Sequence, residues 1–162
     1  MSNVIWVDEN DAVLGEVDRE KAHKEGLLHR VAAIYLVNDR GEILVNERAK
    51  DGYLDHSSAG HVDVGESYLE AAKRELEEEL GVLGVDLQDI GLAGSQGEGE
   101  IFKRLHMFRV YVCKATPVKL KEDEVKRVFW ANPKDIAEDM KVNPKKYTGG
   151  FMKTLKLFLS AT

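Results

Sequence analysis

Residues 60–82 read GHVDVGESYLEAAKRELEEELGV. A Gly-bearing loop runs directly into an acidic amphipathic helix. Ser67 and Glu70 have the Ser-x-x-Glu spacing of a capping box, which predicts a helix starting near Tyr68. Gly81 fits the left-handed position just past its end. Leu69, Ala72, Leu76 and Leu80 recur at helical spacing and form an apolar stripe. Glu75, Glu78 and Glu79 fall within an arc of about 100° beside that stripe. Like charges so placed repel one another, and a divalent cation would remove that cost. Carboxylates are hard oxygen ligands suited to Mg²⁺ or Mn²⁺. The alternative is a solvated acidic face, the usual fate of a charge run.

The wider spacing decides between them. Gly60, Glu66, Arg74-Glu75-Leu76, Glu78-Glu79 and Gly81-Val82 match every defined position of the pattern G-x5-E-x7-R-E-U-x-E-E-x-G-U, with U apolar. On these residues the chain resembles the Nudix hydrolases. The resemblance implies an α/β fold, an α/β/α sandwich whose mixed sheet carries helices on both faces. It implies hydrolysis of a diphosphate linkage in a nucleoside diphosphate joined to another group, with Mg²⁺ or Mn²⁺ as cofactor. It implies that Glu75, Glu78 and Glu79 are metal ligands, that one of them is the base in some members, and that the carbonyl of Ala59 is a further ligand. It also implies that Arg74 pairs with Glu66, so that Gly60, Glu66 and Arg74 support the site. Many members recruit another glutamate from outside the box, and Glu122 and Glu124 are the candidates, Glu124 the better placed.

The rest of the chain fits one Nudix domain over residues 1–162, with residues 1–30 as an N-terminal hairpin extension. Composition is ordinary for a globular chain, with 43% hydrophobic and 32% charged residues. The net charge of −6 argues against extended nucleic acid as a partner and for a small phosphoanhydride held by metal and local cations. The single cysteine, Cys113, forbids an internal disulfide and suits a reducing cytoplasm. No apolar run is long enough for a membrane span.

Val4 to Val7 and Val13 to Val17 read as a hairpin whose edge could serve a homodimer. Asp18 caps a short helix that Gly26 ends. Val31 to Val37 is a central strand, followed by a turn and a paired strand to Arg48. Arg48 is read either as a bidentate phosphate contact or as an ordinary rim arginine. Residues 93–100 read as a Gly-rich loop whose Glu98 and Glu100 are solvated or reach a metal. Leu105 to Cys113 and Val128 to Trp130 are strands, Asn132 caps a helix to about Met140, and a C-terminal helix follows Thr148. Trp6, Tyr35, Tyr53, Phe102 and Trp130 are core residues or base-stacking platforms. His23 and His29 read as structural or surface residues, because no third ligand lies nearby in sequence.

"KEGLLHR" and "AGHVDVGES" also resemble isopentenyl diphosphate isomerase, which shares the Nudix fold. The isomerase's cysteine would fall at Ala59, and "KRLHMFRV" offers no carboxylate for its acidic pair. His23, His29 and His61 match its metal histidines. The sequence therefore reads as an isomerase-like subgroup that keeps hydrolytic chemistry. A non-catalytic nucleotide-binding Nudix module would be expected to lose a box glutamate, and none is lost.

Overall fold

The computed structural model describes residues 2–94 and 105–162. The elements are β1 (Asn3–Val7), β2 (Val13–Asp18), α1 (Arg19–Glu25), β3 (His29–Val37), β4 (Ile43–Arg48), β5 (Leu54–Asp55), β6 (Ser58–His61), α2 (Tyr68–Leu80), β7 (Gln88–Gly94), β8 (His106–Lys114), β9 (Val125–Ala131), α3 (Pro133–Val142) and α4 (Gly149–Ala161), with a 3-10 turn at Pro144–Lys146. Strand β3 is the axis. It runs parallel to β8 from His29↔His106 to Val37↔Lys114 and antiparallel to β6 from Val31↔His61 to Ile34↔Ser58.

Alternation along β3 sends its side chains to two cores. Ala32, Ile34 and Leu36 join Ala72, Leu76 and Leu80 of α2 on one face. Val31, Ala33 and Tyr35 join Ile136 and Met140 of α3 and Phe151, Leu155 and Phe158 of α4 on the other. A strand buried on both faces has no room for polar alternation, which is why residues 31–37 are continuously apolar. The expected mixed sheet between helices is observed.

The hairpin expected between β3 and β4 is corrected. The turn forms, but the strands pair only at Val37↔Ile43. Strand β4 instead pairs antiparallel with β9 and with β5. The reason is a polar wedge. The Leu36 N–H donates to Ser57 Oγ at 2.8 Å, and Ser57 Oγ donates to the Leu44 carbonyl at 2.6 Å. One hydroxyl thus satisfies both strands where their direct ladder ends. Asn46 Nδ2 donates to the Ser57 carbonyl at 3.2 Å and fixes the wedge.

The N-terminal hairpin forms, and Asp18 caps α1 as expected by accepting from the Lys21 N–H. Strand β2 lies at the end of the sheet order, with Val13 and Leu14 exposed. Among the described residues no helix is long and apolar enough to cross a membrane.

Candidate functional site

Helix α2 begins as its sequence dictates. The Glu70 N–H donates to Ser67 Oγ at 3.1 Å, and the Ser67 N–H donates to Glu70 Oε1 at 3.0 Å. Such a cap contributes about 1 kcal/mol. Gly81 ends the helix at φ 66°, in the left-handed region. The buried arc is not the predicted stripe, however. Leu69 is exposed, while Tyr68, Ala71 and Glu79 are buried with Ala72, Leu76 and Leu80. Leu69 overhangs the rim in the first turn and Tyr68 fills the core there. The arc therefore turns toward the glutamates, and Glu79 lies inside it rather than beside it.

The three box glutamates occupy graded environments. Glu79 faces β6, where its Oε1 accepts from Ser58 Oγ at 2.6 Å and from the Ala59 N–H at 3.1 Å. Burial pushes its carboxyl up to about 8, and the charge of Glu75 adds to the rise. Burial also raises Glu75, with Glu78 and Glu124 acting in the same direction and Arg74 opposing. Glu78 is the open member, with its side chain 48% exposed. The cluster meets the strand at Gly60. A Cβ there would lie 2.1 Å from Cδ of Glu75, so the carboxylate fits only because residue 60 has no side chain.

Arg74 ties the loop to the helix. Its Nε and Nη2 donate to the two oxygens of Glu66 at 2.7 and 2.9 Å, a bidentate fork. Its Nη1 donates to Glu75 Oε1 at 2.7 Å and stands 3.6 Å from Glu78 Oε2. Its Nη2 also donates to the His61 carbonyl at 3.1 Å. Glu66 in turn accepts from the Asp63 N–H at 2.9 Å, and Arg74 holds its carboxyl below the usual range.

Ala59 lies opposite Ala33 on β6, its backbone beside Glu79. Glu124 is exposed and accepts from Lys121 Nζ at 3.0 Å. Its charge is the smallest of those that raise Glu75. Glu122 is exposed in the same loop. Arg48 forks onto Asp51 and lies 3.9 Å from Asp55 Oδ2, so its guanidinium already has anionic partners. Tyr35 is fully buried and donates to or accepts from Thr154 Oγ1 at 2.7 Å, which makes it core. Tyr53 is exposed, and Trp6 and Trp130 are half-buried. Glu98, Glu100 and Phe102 lie outside the described residues.

His23 and His29, which have no third candidate ligand nearby in sequence, gain neighbours in the fold. The fold gathers them with His61 and His106, and one ring nitrogen from each lies within 4.8 Å of the others. Register explains it: His29 pairs with His106 across β3 and β8, His61 ends β6 two residues along, and α1 lays His23 over them. Local spacing does not signal this, because the four residues come from four elements; the isomerase resemblance grouped three of them, and only His106 is added by the fold. Burial lowers His29 to about 4 and His61 to about 3, so both rings are neutral at pH 7.

Comparison with known proteins agrees with this architecture. The NUDIX domain family matches residues 27–149. The Nudix hydrolase PA4841 of Pseudomonas aeruginosa is 31% identical over 98% of this chain and 94% of its own. An isopentenyl-diphosphate Delta-isomerase of Serratia proteamaculans is 30% identical over 94% of this chain and 89% of its own. The crystal structure of DR0079 from Deinococcus radiodurans superposes with a TM-score of 0.78 at 22% identity, covering 95% of this chain and 97% of that one. Box, sheet and relatives converge: the chain belongs to the NUDIX domain family and is a Nudix pyrophosphohydrolase.

Proposed function

We propose that this Nudix hydrolase cleaves the diphosphate linkage of a nucleoside diphosphate joined to another group, with Mg²⁺ or Mn²⁺ bound by Glu75, Glu78, Glu79 and the Ala59 carbonyl. The observation that carries the reading is the graded carboxylate cluster over Gly60, braced by Arg74 and Glu66. The donor set fits a hard divalent ion, because two crowded carboxyls whose charged forms burial disfavours are stabilised by a cation. When bound, such an ion neutralises the anhydride oxygens, acidifies water and stabilises the departing phosphate.

The chain's own residues divide the remaining work. Arg74 and Glu66 hold Glu75 and Glu78 in place, so ordering them costs nothing during the reaction. Ser58 and the Ala59 N–H aim one oxygen of Glu79 at β6. Glu78 and Glu124 are the exposed carboxylates, and one of them takes the proton of the attacking water. A substrate phosphate competes with Asp51 for the fork of Arg48.

The test is phosphate release with Mg²⁺ or Mn²⁺ across nucleoside triphosphates, nucleoside diphosphate sugars, dinucleotides and isopentenyl diphosphate, with Glu78→Gln alongside. Metal-dependent hydrolysis of one class, lost in the variant, supports the reading and names the substrate. Conversion of isopentenyl diphosphate to its isomer without hydrolysis overturns it. The fold gathers His23, His29 and His61, as that outcome would require, but it supplies neither the thiol nor the open position beside Gly60. Cys113 is buried on β8 in the α2-side core, where burial pushes its thiol up to about 11, and Ala59 stands beside Glu79.

A further inference from the structure

We infer that Lys121 is a substrate-binding residue: its ammonium, which rests on Glu124, turns to a phosphate oxygen of the diphosphate when substrate arrives and so releases Glu124. The inference rests on the hydrolytic reading of the carboxylate cluster and adds to it a cation that receives the substrate.

The loop that carries Lys121 is fixed at both ends. The Val118 and Lys119 N–H groups donate to the Leu80 carbonyl at 2.9 and 3.1 Å, and the Lys121 N–H donates to the Glu79 carbonyl at 3.0 Å. The backbone of Lys121 is thus joined to that of a box glutamate. Gly81 permits the close approach, because a Cβ there would lie 3.0 Å from the Lys119 nitrogen. At the other end, the Ala49 N–H donates to the Glu124 carbonyl at 2.9 Å, which ties the loop to the residue after β4. The Glu124 N–H donates to the Lys121 carbonyl at 2.9 Å and closes the turn between the two charged residues. A backbone held in this way leaves side-chain rotation as the means of reaching a substrate.

The side chain is free to rotate. Lys121 Nζ donates to Glu124 Oε1 at 3.0 Å, and the two side chains are 39% and 46% exposed. Exposed pairs of this kind add little stability, so opening one costs little. An ammonium carries three donors on a flexible stem, and a phosphate group offers it more charge than one carboxylate does. Arg74 contrasts with it. Its donors are committed to Glu66, Glu75 and the His61 carbonyl, which suits a brace and not a substrate contact.

The surroundings select a single contact over a general attraction. Lys121 lines an open groove of about 1050 Å³, together with Leu120, Val125 and Lys126. Glu122 and Asp123 line the same groove. With the chain's net charge at −6, no broad positive field draws anions there. The hydrogen bond and charge of Glu124, followed by the charges of Asp123 and Glu78, raise the Lys121 ammonium above its usual range, so it is protonated at pH 7. Lys126 is occupied on another side, with its Nζ 3.1 Å from Glu47 Oε2. Lys121 is therefore the groove lysine whose partner belongs to the candidate site.

The experiment is a calorimetric titration of the full chain with methylenediphosphonate, a diphosphate that cannot be hydrolysed, in the presence of Mg²⁺. Lys121→Met keeps an unbranched stem and removes the charge. It should raise Kd about tenfold or more, the scale of a lost charged hydrogen bond. Lys121→Arg and Lys126→Met should each change Kd by no more than about threefold. Lys121→Gln carries the same expectation as the methionine variant and replaces it if that variant unfolds. Wild-type protein that does not bind the diphosphonate, or a Kd unmoved by loss of the Lys121 charge, overturns the inference. An equal loss in Lys126→Met also overturns it, because it marks a diffuse field and not a contact. The hydrolysis panel, run beside the titration, separates this inference from the reading on which it rests. Hydrolysis with KM and Kd unchanged in Lys121→Met removes the contact and leaves the hydrolase. A Lys121-dependent Kd in a protein that hydrolyses nothing keeps the contact and removes the hydrolase.

Discussion

Two clusters of ionisable side chains meet strand β6, the carboxylates along Ser58 to Gly60 and the imidazoles at His61, and they are built by opposite means. The carboxylates come from one helix, at positions 75, 78 and 79, and the helical repeat alone brings them together. The imidazoles come from α1, β3, β6 and β8, and only the sheet register brings them together. The carboxylate cluster grades from buried Glu79 to exposed Glu78, which leaves one side open to substrate and water. The histidines close around a point. An open set of hard oxygens suits exchangeable metal and turnover, whereas a closed set of nitrogens suits a resident ion. The comparison teaches that local and non-local clusters with similar donor counts can serve different ends.

The largest expected effect separates the two clusters directly. Glu78→Gln should lower metal-dependent turnover by about 10³-fold or more, the scale of losing electrostatic stabilisation at a reacting centre. Because Glu78 is about half exposed, unfolding free energy should shift by only about 0.5 kcal/mol. A steady-state assay beside a denaturant titration checks both halves. Turnover that survives would move the chemistry away from the box.

Gly60→Ala should come next. The new methyl collides with Glu75, and either the carboxylate or the strand must move. A misplacement of about 1 Å at a reacting centre costs about 10²-fold in rate, and overpacking about 1–3 kcal/mol in stability. Kinetics and thermal unfolding of this one variant show whether the glycine matters for fit or merely for the turn.

Glu66→Gln keeps the size of the side chain but removes the charge from the Arg74 fork. Turnover should fall about 10- to 100-fold, the usual cost of losing a residue that orients ligands. A KM that stays fixed while kcat falls would mark it as a positioning residue. The smallest effect on catalysis should come from His23→Ala. Hydrolysis measured with saturating Mg²⁺ should change by no more than about threefold, because His23 touches none of the box glutamates. A large loss of hydrolysis would instead join the two clusters into one functional unit.

Much of the architecture was legible because it rests on local rules. The capping box at Ser67 and Glu70, the left-handed Gly81, the Asp18 cap and the doubly buried run through β3 each follow from a few adjacent residues. The hairpin between β3 and β4 was misread because a turn signal says where the chain reverses, not how far its strands stay paired. The hydroxyl that parts them belongs to Ser57, some twenty residues from Leu36. The stripe on α2 was misread at Leu69 because periodicity gives angles and not the outline of the surface against which the helix packs.

The family, the α/β/α layering and the three glutamates on one side of α2 follow from the order of residues alone. Each depends on spacing along a single element, which the backbone geometry of that element converts directly into proximity. The burial of Glu79, the fit of Glu75 against Gly60, the electrostatic reach of Glu124 and the meeting of four histidines from four elements arise from packing. Those outcomes depend on strand register and on how elements stack, and a shift of one residue in register would turn the side chains of His29 and His61 to the other face of the sheet.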